Sequence, residues 1–264
     1  MLYPRIIPCL LVKNNGLVKT INFSNPKYVG DPINAVKIFN EKEVDELMVL
    51  DIDATNENRE PDYKMIQNLS DECRMPFCYG GGIKTVGQAL RILGLGVEKL
   101  AISSVVMEDP EIVSRIAERI GSQSVVVILD VKKRRRDGEY EIFKLNGKIN
   151  TGKCPIEFSK RMEILGAGEI VINSIDNDGV MKGYDFSLVD RIRESITLPL
   201  TVLGGAGSLK DIERLIRKYL VIGAAAGSLF VFKGKYRAVL INYPSKLEKD
   251  MLFKSSVSRE LRGS

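Results

Sequence analysis

The sequence contains no histidine and no tryptophan, and it has only four cysteines in 264 residues. Without histidine, the chain lacks the side chain that most often exchanges protons near neutral pH, so acid–base chemistry is left to carboxylates, lysines, tyrosines and cysteines. The four cysteines form no CxxC pair, and the common zinc sites need that spacing or histidine. We therefore expect no metal and no other cofactor, and we assign Cys73 and Cys78 to core packing.

Long apolar runs are also missing. No stretch approaches the roughly 20 uncharged residues of a membrane helix, and the N-terminus "MLYPRIIPCL" lacks the pattern of a signal peptide. Hydrophobic residues make up 44% of the chain and charged residues 28%, which is typical of a soluble globular protein with a large core. We expect a cytoplasmic protein with no membrane span.

The net charge is only +5, and its densest cluster is "KKRRR" at 132–136. The turn "DG" and the alternating segment "EYEIFKL" follow it, a pattern that predicts a β-hairpin. Because no aromatic residues interleave with the cations, the cluster does not predict a nucleic-acid site. Whether these cations are simply solvated or bind an anion stays open.

Short apolar runs, most of them followed by a helical pattern, recur along the chain. The alternation predicts parallel strands joined by crossover helices, and the near-continuous apolar character of each run fits strands that are covered on both faces. The eight runs are "RIIPCLLV", "ELMVLDI", "PFCYG", "KLAISS", "VVVILDV", "EIVINSI", "PLTVLG" and "YLVIGAAA". Eight such units in this length predict one (β/α)8 TIM barrel domain over 1–264, with an open doubly wound sheet as the alternative.

An internal repeat supports the barrel. "YGGGIKT" at 79–85 matches "LGGAGSL" at 203–209, and "ISSVV" at 102–106 matches "AGSLF" at 226–230 with the same offset of 124 residues. We interpret the chain as two half-barrels, about 1–122 and 123–245, followed by a C-terminal extension at about 245–264.

The repeated segments fall where strands end and helices begin. Glycine there lets backbone N–H groups approach a ligand, and phosphate after strands seven and eight is common in barrels. We therefore predict two phosphate sites, although the same glycines would also suit tight turns. The predicted phosphate-binding residues are Gly81, Gly82, Ser103, Ser104, Gly204, Gly205, Gly227 and Ser228.

Over about residues 1–235 the sequence resembles the cyclase subunit of imidazole glycerol phosphate synthase. The resemblance lies in "RIIPCL", "VLDID", "GGGI", "VILDV", "NTG", "INSIDNDGVMKGYD", "GGAG" and "GSLFVF", of which "SIDNDGVMKGYD" is the most specific. It implies a two-phosphate barrel that carries a glutaminase on its lower face and conducts ammonia through its interior to the upper face. It also adds Asp178 and Gly179 to the phosphate-binding set, and Lys19 and Asp51 to the upper face.

The resemblance implies two catalytic aspartates, at the ends of strands one and five. The second corresponds to Asp130, but the first corresponds to Leu11, which cannot transfer a proton. Two neighbouring positions also depart from the family: Ser103 stands in place of an asparagine and Thr20 in place of a glycine. We therefore expect that cyclase activity is lost and that Asp130 is at most a remnant of it.

At the opposite face the family pattern is intact. Arg5, Glu46, Lys99 and Glu169 stand at strand starts, and the resemblance implies that they form a charged ring that gates ammonia. From the residues alone, each could be an ordinary surface charge. Glu98 and Gln123 correspond to the rim that faces the glutaminase partner.

The ending "FKGKYRAVLINYP" at 232–244 resembles a divergent branch of the family that serves surface-polysaccharide synthesis. In that branch a glutaminase and a barrel supply ammonia to a separate sugar N-amidotransferase, which converts an acetamido group into an acetamidino group. We hypothesise that this chain is such an ammonia-conducting subunit, with a phosphorylated or nucleotide-sugar ligand, and leave open whether it catalyses a step itself. We give the final "LRGS" no weight.

Three alternatives stay open. One is an authentic cyclase in which Asp51, Asp53 or Lys19 replaces Leu11. Another is a phosphosugar-binding scaffold without ammonia traffic, and the third is a sugar isomerase of the sister family, which also needs two acidic residues.

Overall fold

The computed structural model describes residues 3–257, with side chains described through residue 253. The segment "LRGS" lies outside the described residues. The eight predicted strands are all present: β1 (Arg5–Lys13), β2 (Leu47–Asp51), β3 (Phe77–Gly80), β4 (Lys99–Ile102), β5 (Val125–Lys133), β6 (Glu169–Ser174), β7 (Leu200–Leu203) and β8 (Gly223–Ala226).

Each of these strands pairs in parallel with the next, and β8 returns to pair with β1 in the register Arg5↔Gly223. The sheet is therefore a closed barrel, which confirms the (β/α)8 fold and excludes the open doubly wound sheet. The half-barrel duplication stays a prediction, although both members of each repeated pair do follow strand ends.

Helices alternate with the strands and cover the barrel. They are α1 (Pro32–Glu41), α2 (Tyr63–Glu72), α3 (Val86–Leu93), α4 (Ile112–Ile120), α5 (Pro155–Ile164), α6 (Phe186–Arg193), α7 (Leu209–Tyr219) and α8 (Lys246–Val257). Short helices, Ser104–Glu108 and Ser228–Val231, directly follow β4 and β8. In α7, a capping box between Ser208 and Asp211 fixes the N-terminus, and Ile212, Leu215 and Ile216 face the sheet.

The barrel has an outer core between sheet and helices and a separate inner core. The inner core consists of Ile7, Cys9, Met48, Cys78, Ala101, Val126, Ile128, Val171, Leu203 and Ala225. Cys78 is buried, as expected, and Cys73 is partly buried against the outer core. These hydrophobic side chains fill the barrel between the two mouths, and the buried Thr201 of β7 lies toward the lower end.

Antiparallel hairpins extend two of the loops at the upper face, where the strands end. Strand Gly16–Ile21 pairs with both β1 and Ser24–Gly30, and the sequence patterns did not predict this hairpin. The predicted hairpin after the basic cluster is present, since Lys133 of β5 pairs with Tyr140 of the strand Tyr140–Lys144. No helix in the described part of the chain has both the length and the hydrophobicity to cross a membrane.

Candidate functional site

The upper mouth of the barrel opens into a cavity of about 510 Å³. Leu11 and Asp130 both line it, at the ends of β1 and β5. Leu11 packs against the inner core, and its backbone pairs with Leu50 of β2, so no carboxylate stands at this position. The site thus offers an apolar wall on one side and Asp130 on the other, with the ion-paired Asp51 at the end of β2.

Asp130 lies beside Asn173 of β6, which sequence reasoning did not single out. The Asn173 side-chain amide donates to the Asp130 carboxylate at 2.9 Å. Burial raises the pKa of Asp130 from 3.8 to about 7, the hydrogen bond from Asn173 opposes the rise, and the nearby Asp178 adds to it. A carboxyl group with this pKa can both donate and accept a proton at neutral pH. The sequence signal for Asn173 was a polar residue at the end of the apolar run "EIVI" in the segment "EIVINSI".

Lys19 reaches the same cavity from the hairpin after β1. Its ammonium donates to the backbone carbonyl of Cys9 at 2.6 Å, and its Nζ lies 2.6 Å from where a Cβ on Gly227 would stand. Burial lowers the pKa of Lys19, while Cys9 and Asp178 oppose that change. A cation therefore lies directly beside one of the two predicted phosphate sites.

Asp178 and Gly179 line the cavity as well, and phosphate binding by them stays a prediction. The Asp178 carboxylate accepts hydrogen bonds from the Thr20 hydroxyl at 2.7 Å and from the Phe23 backbone N–H at 3.3 Å. Asn22 adds backbone and side-chain bonds to the same turn, and Gly179 approaches Thr20 so closely that a Cβ would lie 2.0 Å from its carbonyl oxygen. Asp178 and Gly179 thus anchor the hairpin over the cavity.

The other predicted phosphate residues all line the cavity. The glycines after β3 and β7 also have a backbone role, since Gly204 has φ +92° and Gly205 has φ +114° with a Cβ position 2.1 Å from the Gly183 carbonyl oxygen. Only glycine fits there. The tight-turn interpretation is therefore correct for these positions, and phosphate binding by them stays a prediction.

Asp51 and Asp53 are engaged elsewhere. The Asp51 carboxylate accepts from the Asp53 and Ala54 backbone N–H groups and forms an ion pair with Arg59 at 3.1 Å. Asp53 pairs with Lys13 at 3.0 Å. Either carboxylate would have to give up these contacts to act in place of an aspartate at Leu11, and Asp51 and Lys19 line the same cavity as Leu11.

The lower mouth holds the four predicted ring residues in one ion-pair network. Arg5 pairs with Glu46 and, at 2.7 Å, with Glu169; Lys99 contacts Glu46 at 3.0 Å and Glu169 at 2.9 Å. Each cation therefore bridges both anions, which closes the ring. Thr201, another residue that sequence reasoning missed, donates to Glu169 at 2.5 Å.

The opposite charges of the ring stabilise one another in their ionised forms. Burial alone would lower the pKa of Arg5 and of Lys99, but the charges of Glu169 and Glu46 outweigh it and raise both values. Burial alone would raise the pKa of Glu169, but Arg5 and Lys99 outweigh it and lower the value. All three groups are therefore held in their charged forms near neutral pH.

The two predicted rim residues are exposed next to this ring. Glu98 directly precedes β4 and accepts a hydrogen bond from the Phe77 backbone N–H at 2.8 Å. Gln123 lies just before β5, so the two side chains flank neighbouring strand starts. Both are placed where a protein covering the lower mouth would contact them.

Two of the five cations in the basic cluster at 132–136 form ion pairs within their own hairpin. Arg134 pairs with Asp137 at 2.9 Å and with Glu141 at 3.1 Å, and Arg136 pairs with Asp137 at 3.5 Å. Exposed ion pairs of this kind are typical of a solvated loop. They favour that interpretation over an anion site.

Comparison with known proteins matches this architecture to a family. The sequence profile of the family described as "Histidine biosynthesis protein" matches residues 5–237, which include all eight barrel strands. The chain belongs to this family.

Individual relatives cover nearly the whole chain. "Putative imidazole glycerol phosphate synthase subunit hisF3" of Vibrio vulnificus is 59% identical over 249 residues, 94% of this chain and 96% of the relative. A Leptospira interrogans protein named "Putative imidazole glycerol phosphate synthase subunit HisF" is 55% identical, over 96% of this chain and all of the relative. "Imidazole glycerol phosphate synthase subunit HisF" of Clostridium botulinum is 37% identical, over 93% and 97%. Within this family the chain is thus more similar to these two relatives than to the clostridial one.

Proposed function

We propose that this chain is an ammonia-conducting barrel subunit that pairs with a glutaminase and no longer catalyses the cyclase reaction. The observation that carries the proposal is the contrast between the two mouths. The lower mouth keeps a closed ring of Arg5, Glu46, Lys99 and Glu169, whereas the upper mouth has Leu11 opposite Asp130. A cyclisation that needs proton-transferring groups at the ends of both β1 and β5 is left with the one on β5.

The interior between the two mouths fits a path for a small neutral molecule. The hydrophobic cluster of the inner core lines it, and a charged ammonium would lose its hydration against these side chains without compensation, whereas ammonia would lose little. The ring at the entrance offers carboxylate oxygens that can accept hydrogen bonds from ammonia. The exposed rim of Glu98 and Gln123 is where the glutaminase would dock.

The acceptor of the ammonia would be a separate sugar N-amidotransferase at the upper face. Conversion of an acetamido group into an acetamidino group replaces a carbonyl oxygen by nitrogen, so it needs ammonia at the site of reaction and protection from water. The relatives above 50% identity with numbered names such as hisF2 and hisF3 support a branch apart from the clostridial proteins. The sugar substrate follows from the resemblance of segment 232–244.

An authentic cyclase is the second candidate, and one observation favours it. Lys19, with its lowered pKa, lines the same cavity as Asp130, so it could provide the second proton-transferring group. For the cyclase reaction, the Lys19 amine would have to break its 2.6 Å hydrogen bond to the Cys9 carbonyl.

A parallel assay separates the two candidates. The chain and the Clostridium botulinum relative would each be mixed with a glutaminase subunit, and cyclase turnover with ammonium and glutamine hydrolysis would be measured. We expect stimulated glutamine hydrolysis but cyclase turnover about 10²- to 10⁴-fold below the relative, which is the usual cost of one lost proton-transfer group. Turnover within tenfold of the relative would contradict the conduit proposal, and loss of that turnover in Lys19→Met would identify the replacement group.

Leu11→Asp is the companion variant. We expect it to restore little turnover alone, because Thr20 and Ser103 also differ from the family pattern and Thr20 holds the hairpin closed. Full recovery by this single change would show that the upper face is otherwise competent.

A further inference from the structure

The backbone that carries the charged ring is held by a second set of hydrogen bonds on its outer side. Ile6 follows Arg5, and its N–H donates to the Asp45 carboxylate at 2.9 Å. Asp45 in turn precedes Glu46. The residue next to one ring cation is therefore bonded to the residue next to one ring anion.

The C-terminal segment completes this arrangement. The buried hydroxyl of Tyr243 donates to the Ile6 carbonyl at 2.8 Å and accepts from the Asp45 N–H at 3.2 Å. Burial, followed by the charge of Asp45, raises the pKa of Tyr243, so its hydroxyl stays protonated and able to donate. One hydroxyl thus joins the two strand starts that present Arg5 and Glu46.

Lys249 of α8 contacts Asp45 from the solvent side. Its ammonium contacts the free oxygen of the Asp45 carboxylate at 2.7 Å and the Glu43 carbonyl at 3.2 Å. It also lies 5.3 Å from the Tyr243 ring centroid, within reach of a cation–π contact. The aromatic side chain of Tyr243 packs on that of Phe230, with ring centroids 5.4 Å apart.

We propose that Tyr243 and Lys249 are positioning residues for the ring, which fix the Arg5–Glu46 side of it through Ile6 and Asp45. Neither touches a ring side chain, so each acts through the backbone. Lys99 and Glu169 stand on β4 and β6, outside this set of bonds, so the ring has one side tied to the C-terminal segment and one side that is not. The role of the ring in ammonia passage rests on the proposed function, but its positioning can be measured without it.

The test compares matched tyrosines. Tyr243→Phe removes one hydroxyl, and the control Tyr184→Phe removes another buried hydroxyl that donates to a strand carbonyl, that of Ala225 at 3.0 Å, at the upper face. The readout is the rate at which the Arg5 guanidinium Nη–H groups, which donate to Glu46 and Glu169, exchange with water, followed by NMR on ¹⁵N-labelled protein and assigned with Arg5→Lys. We expect exchange to rise about threefold or more in Tyr243→Phe, the effect of losing one net hydrogen bond, and to stay at the wild-type rate in Tyr184→Phe.

Lys249 provides a second, milder variant. Lys249→Ala should raise Arg5 exchange less than Tyr243→Phe, and Lys249→Arg, which keeps the charge beside Asp45, should restore it. Unchanged Arg5 exchange in both Tyr243→Phe and Lys249→Ala overturns the positioning role, whatever happens to ammonia. Faster exchange with an unchanged ratio of amidated product to glutamine consumed supports the positioning role and counts instead against the ring as an ammonia gate.

Discussion

Asn173 donates its side-chain amide to the carboxylate of Asp130 at 2.9 Å, across the β5–β6 register in which the two residues are direct partners. The bond places a neutral donor, rather than a cation, beside Asp130, whereas Asp51 at the end of β2 is paired with Arg59. Burial therefore dominates the titration of Asp130, and its pKa rises to about 7. With no histidine in the chain, this is the group to examine near neutral pH.

Asp130 should make stability depend on pH in a defined direction. Its folded-state pKa of about 7 lies above the ordinary value of 3.8, so the folded protein binds the extra proton between these values and stability falls as pH rises from about 4 to about 7. We expect Asp130→Asn to flatten this slope in urea unfolding measured at several pH values. Asp71→Asn, an exposed change on α2, is the control and should leave the slope intact. A wild-type slope in Asp130→Asn would contradict the raised pKa.

Lys99→Ala should uncouple glutamine consumption from product formation. Its removal leaves Glu46 and Glu169 with Arg5 alone, so the ring rearranges and ammonia escapes to solvent. We expect a cost of about 1–3 kcal/mol in unfolding free energy, less than the roughly 3–5 kcal/mol of fully buried pairs, because the cation is partly exposed. The assay compares glutamine hydrolysed with amidated sugar formed, and excess ammonium should rescue the product.

Lys160→Ala is the control for that experiment, since it removes an exposed lysine paired with Glu157 on α5. It should keep the wild-type ratio. If Lys99→Ala also keeps it, the four charges have no role in ammonia passage and serve only as strand-end ion pairs.

Thr20→Val should loosen the hairpin at 16–30. The substitution keeps the shape of the side chain and removes the hydroxyl that donates to Asp178 at 2.7 Å, a bond to a charged acceptor worth about 1.5 kcal/mol or more. We expect amide hydrogen exchange in 16–30 to rise about tenfold. Thr197→Val, which removes a similar bond to Glu163, should leave that segment unchanged. Equal protection in both variants would show that Asp178 does not anchor the hairpin.

Glu98→Gln should weaken glutaminase docking without disturbing the barrel. The amide oxygen can still accept from the Phe77 N–H, so only the charge is lost, whereas Glu98→Lys loses the bond as well. We expect affinity to fall about three- to tenfold for Glu98→Gln in titration calorimetry, and further for Glu98→Lys. Glu157→Gln on α5 should bind like wild type. Identical affinities for all four proteins would remove Glu98 from the interface.

The barrel strands could be predicted from the sequence because each is a short run of apolar residues between turn signals. The hairpin at 16–30 could not, since Ser24–Gly30 is mostly exposed and shows no alternation of burial. Its contact with Asp178 joins residues 158 positions apart, a distance at which local patterns carry no information. The ring was expected from the family resemblance. The individual residues did not predict it, because a charged residue at the start of a strand is common and does not show that four such residues lie together.

The four cysteines differ in burial, and we therefore expect them to differ in reactivity toward alkylating reagents. Burial, reinforced by nearby carboxylates, raises the thiol pKa of Cys9 and Cys73 to about 12 and that of Cys78 well above its usual value. These thiols stay protonated and unreactive at neutral pH. Cys154 is exposed just before α5, at the upper end of the barrel. A maleimide dye should therefore attach at one natural position, beside the mouth that an acceptor enzyme would approach, with no engineered cysteine.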